Sequence, residues 1–244
     1  MDRLIYLAMA GAKASMQRQD VLAHNLANVS TTGFRAELSA FRAVPVQGDG
    51  ASTRVYALET TVGYDAQPGI VESTGRPLDV ALRGNSWLAV QTLDGTEAYT
   101  RAGALEVDPQ GQLVNPDGLP MLGDGGPIIV PPNARVAIAP DGNVSAAVGE
   151  AAPQVVGRLK LVTPEGPLQR GDEGLFRAAN REDLPADPAA RLQDGALEGS
   201  NVSAVETMVS MIAAARQFEH QMRMLQGAEQ RDQTAQRLLG PAGA

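Results

Sequence analysis

The 244-residue sequence contains no cysteine. That removes disulfides, zinc–thiolate sites and thiol nucleophiles at once. Aromatic residues make up only 4% of the chain, with a single tryptophan, so stacking on nucleic-acid bases or sugar rings has few side chains to draw on. No apolar run is long enough to span a bilayer as a helix. The opening Met1-Asp2-Arg3-Leu4-Ile5-Tyr6 lacks the basic stretch, apolar core and small-residue cleavage site of a conventional secretory signal, so work outside the cytoplasm implies another export route. Basic charge is also short, with 20 Lys and Arg against 28 Asp and Glu and a net charge of −8. The deficit belongs to the middle: residues 1–35 hold four bases and two acids, and residues 198–239 hold four bases and five acids. Such a distribution argues against a DNA or RNA partner and fits near-neutral ends that pack.

Proline is scarce in a positional sense. Fifteen of the 16 lie between Pro45 and Pro188, and the flanks Leu4 to Asn28 and Val202 to Leu239 have none. A proline inside a helix costs about 3 kcal/mol, so two Pro-free flanks around a Pro- and Gly-rich centre predict helix, then strands, then helix.

Both flanks carry apolar residues at helical spacing. In the first, Ile5, Met9, Ala12, Met16, Gln19, Ala23 and Leu26 are spaced by four and three alternately, and Ala8, Ser15 and Leu22 widen the stripe. This seam of mostly small residues suits close approach by another helix. In the second, Val205, Met208, Ile212 and Ala215 follow the same spacing until Glu219 interrupts it. The apolar face then continues one residue earlier through Phe218, Met222, Leu225, Ala228, Ala235 and Leu239, a register shift within an amphipathic helix. Ser200 or Asn201 is placed to cap its start, with Glu206 near the positive end. Two such helices paired alone would leave apolar surface on their outer faces.

After the first helix the chain reads Asn25-Leu26-Ala27-Asn28-Val29-Ser30-Thr31-Thr32-Gly33-Phe34-Arg35. Asn25 and Asn28 are one turn apart, where their amides can bond neighbouring backbone. Asn28 ends the helix, Gly33 permits positive φ, and Phe34 anchors the outgoing chain. In the middle, Leu78, Val80 and Leu82 alternate with Asp79 and Ala81 as a half-buried strand would. Asp94-Gly95, Asp117-Gly118, Asp124-Gly125 and Asp141-Gly142 mark reverse turns between short apolar runs.

The string Asn25–Arg35 resembles the N-terminal signature of bacterial flagellar axial proteins, the rod, hook and hook-associated subunits. Leu197-Glu198-Gly199-Ser200-Asn201-Val202, followed by Val205, Met208, Met211-Ile212 and Arg216-Gln217-Phe218-Glu219, resembles that family's C-terminal signature. Arg76–Leu82, Trp87–Thr92, Tyr99-Thr100-Arg101 and Gly111–Val114 resemble the β domain of its longer rod and hook members. The opening Met1–Met9, Arg42–Val46 and Leu159–Gly171 point within the family to a proximal-rod subunit, with a distal-rod or hook-type subunit as the alternative.

The resemblance implies an α+β, multi-layer fold in which the N- and C-terminal helices pack together as an inner layer around an inserted, mainly β domain. The expected division is residues 1–33 for the first helix, 34–69 for an extended connector, 70–199 for the β domain and 200–244 for the second helix. It further implies a torque-transmitting structural subunit that polymerises through its terminal helices with copies of itself and other rod subunits, leaves by the flagellar type III export apparatus, and inserts in no membrane. The assembly residues it implies are Ile5, Met9, Ala12, Met16, Leu22, Asn25, Leu26, Asn28, Gly33, Phe34, Asn201, Val202, Val205, Met208, Ile212, Phe218, Met222 and Leu225.

Catalysis has little support. His24 and His220 lie one on each flank and would meet only if the helices bring them together, and no further ligand stands at metal spacing. Asp65, Asp79 and Asp94 are candidates for glycosidase-like carboxylates, but such pairs arise by chance in an acidic domain. No GxSxG, HExxH or P-loop is present, and the Gly-rich Gly123–Pro127 ends as a turn. No cofactor is implied. A lectin- or adhesin-like β head on a helical stalk is the reading outside the family. If the flanks fold only on assembly, amide hydrogen exchange of the monomer is expected to be rapid over residues 5–26; strong protection there would show that they fold alone.

Overall fold

The computed structural model describes residues 2–45, 55–171 and 173–239. The chain divides into two units, one of residues 1–27, 37–62 and 203–244, the other of residues 28–36 and 63–202. The first is built on two helices, α1 (Asp2–Ala27) and α2 (Ala204–Leu239), which pack against each other. Residues 34–69, expected to run as a lone extended connector, instead contain two strands hydrogen-bonded to each other, β1 (Glu37–Pro45) and β2 (Val55–Tyr64). Gly48 and Gly50, which the sequence places as breaks in regular structure, lie outside the described residues.

α1 meets α2 along its smallest side chains rather than its methionines, while the α2 seam mixes small and large residues. On α1 the buried residues are Ala8, Ala12, Ala14, Ser15 and Asn25, while Met9 and Met16 are 54% and 52% exposed. A Cβ on Gly11 would fall 2.8 Å from the Gln221 side chain, so this turn of α1 approaches α2 closely because it carries no side chain. On α2 the buried or half-buried positions include Thr207, Met211, Ala214, Phe218, Gln221, Leu225 and Ala228, flanked by half-buried Ala204, Ser210, Ala215 and Gly227. The first seven form an unbroken four-and-three repeat, without the register shift anticipated at Glu219. Val205, Met208 and Ile212, which the sequence places on the seam, are 73%, 50% and 56% exposed. Hydropathy selects the greasier stripe, whereas close approach of two backbones selects the smaller one. The cap also moves: Ser203, not Ser200 or Asn201, precedes α2, its Oγ accepting from Glu206 N at 3.4 Å and its carbonyl from Thr207 N at 2.9 Å. The side chains of Ala235 and Leu239 lie outside the described residues.

The second unit is the expected mainly β body. Its short strands include β3 (Val71–Ser73), β4 (Val80–Leu82), β5 (Trp87–Gln91) and β6 (Glu97–Thr100). The largest sheet has five antiparallel strands in the order Leu161–Val162, β5, β6, Phe176–Arg177, Gln169–Arg170. A three-stranded meander follows the chain through Ala134–Ile138, Asn143–Val148 and Gln154–Arg158. Near the C-terminal edge, Leu192–Asp194 pairs with β4 and Ala196–Glu198 with β3, so late chain closes onto early chain.

Two cores flank β5. Alternation along Trp87-Leu88-Ala89-Val90 sends Leu88 and Val90 into a cluster with Val80, Leu105 and Leu161, and sends Trp87 and Ala89 into one with Tyr99, Val162 and Phe176. A strand buried on both faces reads as a continuous apolar run, which is why this segment lacks polar alternation. The half-buried pattern anticipated for β4 is likewise overturned, because Asp79 and Ala81 are buried beside Val80 and Leu82. The Asp94-Gly95 turn between β5 and β6 is as read: Gly95 has φ +80°, and Asp94 accepts from Thr96 N at 3.2 Å. Hydroxyls of Thr92 and Thr96 hold the Asp94 carboxyl well below the usual carboxylate range. Leu88 is fully buried, so Leu88→Ala is expected to cost about 2–5 kcal/mol in urea unfolding followed by the emission of Trp87.

Candidate functional site

The two terminal signatures meet inside the β unit. Gly33 N donates to Glu198 O at 2.7 Å, Asn201 N to Phe34 O at 3.3 Å, and Ala36 N to Asn201 Oδ1 at 2.7 Å. Asn201 uses its amide twice more, Nδ2 donating to Asp65 O at 3.1 Å and Gln67 O at 3.0 Å. One side chain thus ties the strand leaving at Ala36 to the strand returning at Asp65 and to the C-terminal segment. Asn25 does similar work in the helical unit, where Nδ2 donates to Glu37 O at 3.0 Å and Oδ1 accepts from Glu37 N at 2.8 Å. Both arrangements follow from an amide that copies the donor–acceptor pair of a peptide.

Gly33 has φ +69°, and a Cβ there would fall 2.3 Å from the Arg101 carbonyl carbon. Only glycine satisfies both the turn and this approach. Asn28 starts the turn, accepting from Thr31 N at 3.2 Å and from the Thr31 hydroxyl at 3.1 Å.

At the centre lies a charge cluster that motif reading does not isolate. Glu198 is 1% exposed and Arg35 and Arg101 are each 2% exposed. Glu198 Oε2 accepts from Arg101 Nε at 2.8 Å and from an Arg101 terminal nitrogen at 2.5 Å. Glu198 Oε1 accepts from Arg35 at 2.7 Å and from Gly69 N at 3.0 Å. Arg101 spends its remaining donors on the carbonyls of Gly84, Ser86 and Leu82, at 3.1, 2.6 and 3.2 Å. All five of its N–H groups are thereby used, and the carboxylate accepts four bonds. Arg35 also donates to Gln67 O, while its Nε is buried without a hydrogen-bond partner among the described residues. Burial pushes the Arg35 guanidinium below its ordinary pKa, the charge of Arg101 pushes the same way, and Glu198 opposes both. All three residues sit inside the strings that carry the family resemblance, yet nothing local marks them as partners. Period two along Ala196-Leu197-Glu198 buries positions 196 and 198 together, the one signal available.

Phe34 is buried beneath Arg170, whose guanidinium lies 4.4 Å from the Phe34 ring centre and 5.1 Å from that of Phe176. Tyr64 and Trp87 complete the aromatic group around Phe176 at 4.8 and 4.6 Å. Among the remaining sequence candidates, Ile5, Leu22, Leu26, Val202, Phe218 and Leu225 are half-buried and Met222 is 37% exposed.

The catalytic and metal candidates resolve into structure. Asp79 is buried and takes Arg76 at 2.7 Å and the Thr74 hydroxyl at 2.6 Å; Asp65 caps Gln67 N at 2.9 Å. The helices do not bring the histidines together: the residue after His220 lies against Gly11, about 20 Å along α1 from His24. No cluster of His, Cys, Asp and Glu suited to a metal ion exists among the described residues.

Three family models match along the chain: flagella basal body rod protein over residues 5–35, the flagellar hook protein FlgE/F/G D1 domain over residues 81–146, and the flagellar basal body rod FlgEFG protein C-terminal region over residues 193–238. The flagellar basal-body rod protein FlgF of Escherichia coli K12 is 49% identical, covering 98% of this chain and 99% of its own. The chain belongs to the flagellar basal-body rod protein family. FlgF of Salmonella typhimurium is 48% identical over the same shares, whereas FlgG of Bacillus subtilis, a flagellar basal-body rod protein of the same family, is 32% identical over 92% of this chain and 94% of its own. A rod protein of this family is a structural component of the flagellum, not an enzyme. The first and last matched segments contain the two signatures that meet at Glu198. Phe34, expected among the assembly residues, is buried in the β unit against Arg170, so Phe34→Asp is expected to disturb the fold itself. Asn201→Ala removes three hydrogen bonds and is expected to lower stability by about 1–3 kcal/mol in urea titration. Asn201→Asp is expected to do at least as much harm, since a carboxylate cannot donate to the carbonyls of Asp65 and Gln67.

Proposed function

We propose that this chain is a structural subunit of the proximal part of the flagellar rod, joined to copies of itself and to other rod subunits through the outer faces of α1 and α2. The observation that carries the reading is the division of each helix into two stripes. One is turned toward the partner helix, small on α1 and mixed on α2, where Ala214 and Ala228 alternate with Met211, Phe218 and Leu225; the other is apolar and exposed, with Val205, Met208, Val209 and Ile212 on α2 and Tyr6, Leu7, Met9 and Met16 on α1. Contiguous apolar surface of this kind marks an interaction face. A head-to-tail interface that does not close on itself extends as a helical filament, which is the geometry a shaft needs. Close-packed helices deform little, so a shaft built from them transmits torque.

The high identity to the enteric FlgF chains, against lower identity to the FlgG chains, supports the proximal position. No helix among the described residues is long and apolar enough to cross a membrane. Delivery by the flagellar type III export apparatus is part of this reading. The acidic balance disfavours nucleic acid as a partner.

The test separates the two stripes. Val205→Glu together with Ile212→Glu is expected to abolish swimming and incorporation into basal bodies while leaving the urea midpoint of the isolated protein within experimental error of wild type. Incorporation at wild-type level would overturn the assembly role of this face.

A further inference from the structure

The cluster at Glu198 has one anion for two buried guanidinium groups, and the two are not equally dependent on it. Arg101 has three carbonyl partners, Leu82, Gly84 and Ser86, all within its own part of the β unit. It can be housed before the C-terminal segment arrives. Arg35 has no such provision: its charged partner in contact is Glu198, and its other hydrogen bond goes to Gln67 O. The backbone around Arg35 is held the same way, since Gly33 N, Phe34 O and Ala36 N all bond to residues 198–201. An arginine cannot escape burial by losing its proton at neutral pH. Docking residues 33–36 without Glu198 would therefore bury a cation with only the weaker pull of the Asp65 carboxylate to offset it, beside Arg101, whose charge already opposes it.

We propose that Glu198 is a closing switch: residues 28–36 remain undocked, with Arg35 in solvent, until the strand Ala196–Glu198 pairs with β3 and its carboxylate pins Arg35 to Arg101. A polypeptide emerges N-terminus first, and Glu198 lies 97 residues beyond Arg101 and close to the end of the β unit. The N-terminal signature accordingly docks last although it is made first. An incomplete chain holds a folded β core with an open N-terminal signature, and only a complete one joins the two signatures.

Trypsin reports this directly, because cleavage after Arg35 requires that segment to open. Trp87, the only tryptophan, reports the β core, sitting in the second core cluster with Arg101 5.7 Å from its ring. On refolding the full-length wild-type protein from urea, Trp87 emission is expected to recover first and protection of Arg35 later. A shared rate, or Arg35 protected first, would overturn the proposal. At equilibrium, Glu198→Gln in the full chain is expected to raise cleavage after Arg35 about a hundredfold, with cleavage after the exposed Arg83 and the emission of Trp87 close to wild type. Arg35 as resistant as in wild type would also overturn it. Should Glu198→Gln fail to recover native Trp87 emission, the order of events in wild-type refolding decides alone.

Discussion

The closing of residues 28–36 and 196–202 onto the β unit depends on a buried carboxylate that two arginines share. Desolvating three charges is unfavourable, and such clusters contribute less net stability than apolar residues of the same volume would. Their effect is specificity. Glu198 accepts four hydrogen bonds and Arg101 donates five, so very few alignments of the chain satisfy every atom. The register of Ala196–Glu198 on β3, with Glu198 opposite Val71, is one of them. A slip of one residue would turn Glu198 to the other face and bring Leu197 against two guanidinium groups. The backbone bonds from Gly33, Phe34 and Ala36 are set by the same register, since their partners are residues 198 and 201.

The helical unit is governed by a different constraint, the distance between backbones. Gly11, Ala8, Ala12 and Ser15 let α1 approach α2, with Gly11 facing Gln221. Larger side chains on that line of α1 would push the helices apart. Met9 and Met16 of α1 and Val205, Met208, Val209 and Ile212 of α2 lie off the seam, where a single chain leaves them in water. Each helix therefore has two faces with different tasks, and the more hydrophobic is not the one buried in the isolated chain. Under the assembly role proposed above this ordering is coherent: the seam joins the two helices of one chain, and the exposed apolar face would remain for neighbours.

What could be read from sequence was what local spacing determines. The absence of proline located both helices, the positive φ of Gly33 followed from a turn after Asn28, and the Asn25 amide found backbone as its chemistry requires. The helix seam was misread because hydropathy ranks Met9 and Met16 above Ala8 and Ser15, while packing ranks them below. Ser200 and Asn201 looked like caps because both residue types cap helices, but Asn201 bonds the backbone at Ala36, Asp65 and Gln67, leaving Ser203 for α2. β1 and β2 were hidden because a paired strand and an extended connector share the same local conformation. The charge cluster was invisible for a stronger reason. Each member has ordinary neighbours, and only long-range pairing makes one carboxylate serve two distant arginines.

The scarcity of aromatic residues acquires a meaning beside that cluster. Phe34, Tyr64, Trp87, Tyr99 and Phe176 are five of the chain's four Phe, four Tyr and one Trp, and all lie in the β unit near the point where the N-terminal signature docks. Large rings and charge-assisted hydrogen bonds are among the strongest single contacts available to a chain without cysteine. Concentrating both at the place where residues 28–36 meet residues 197–202 fastens the two segments that continue, in sequence, into α1 and α2.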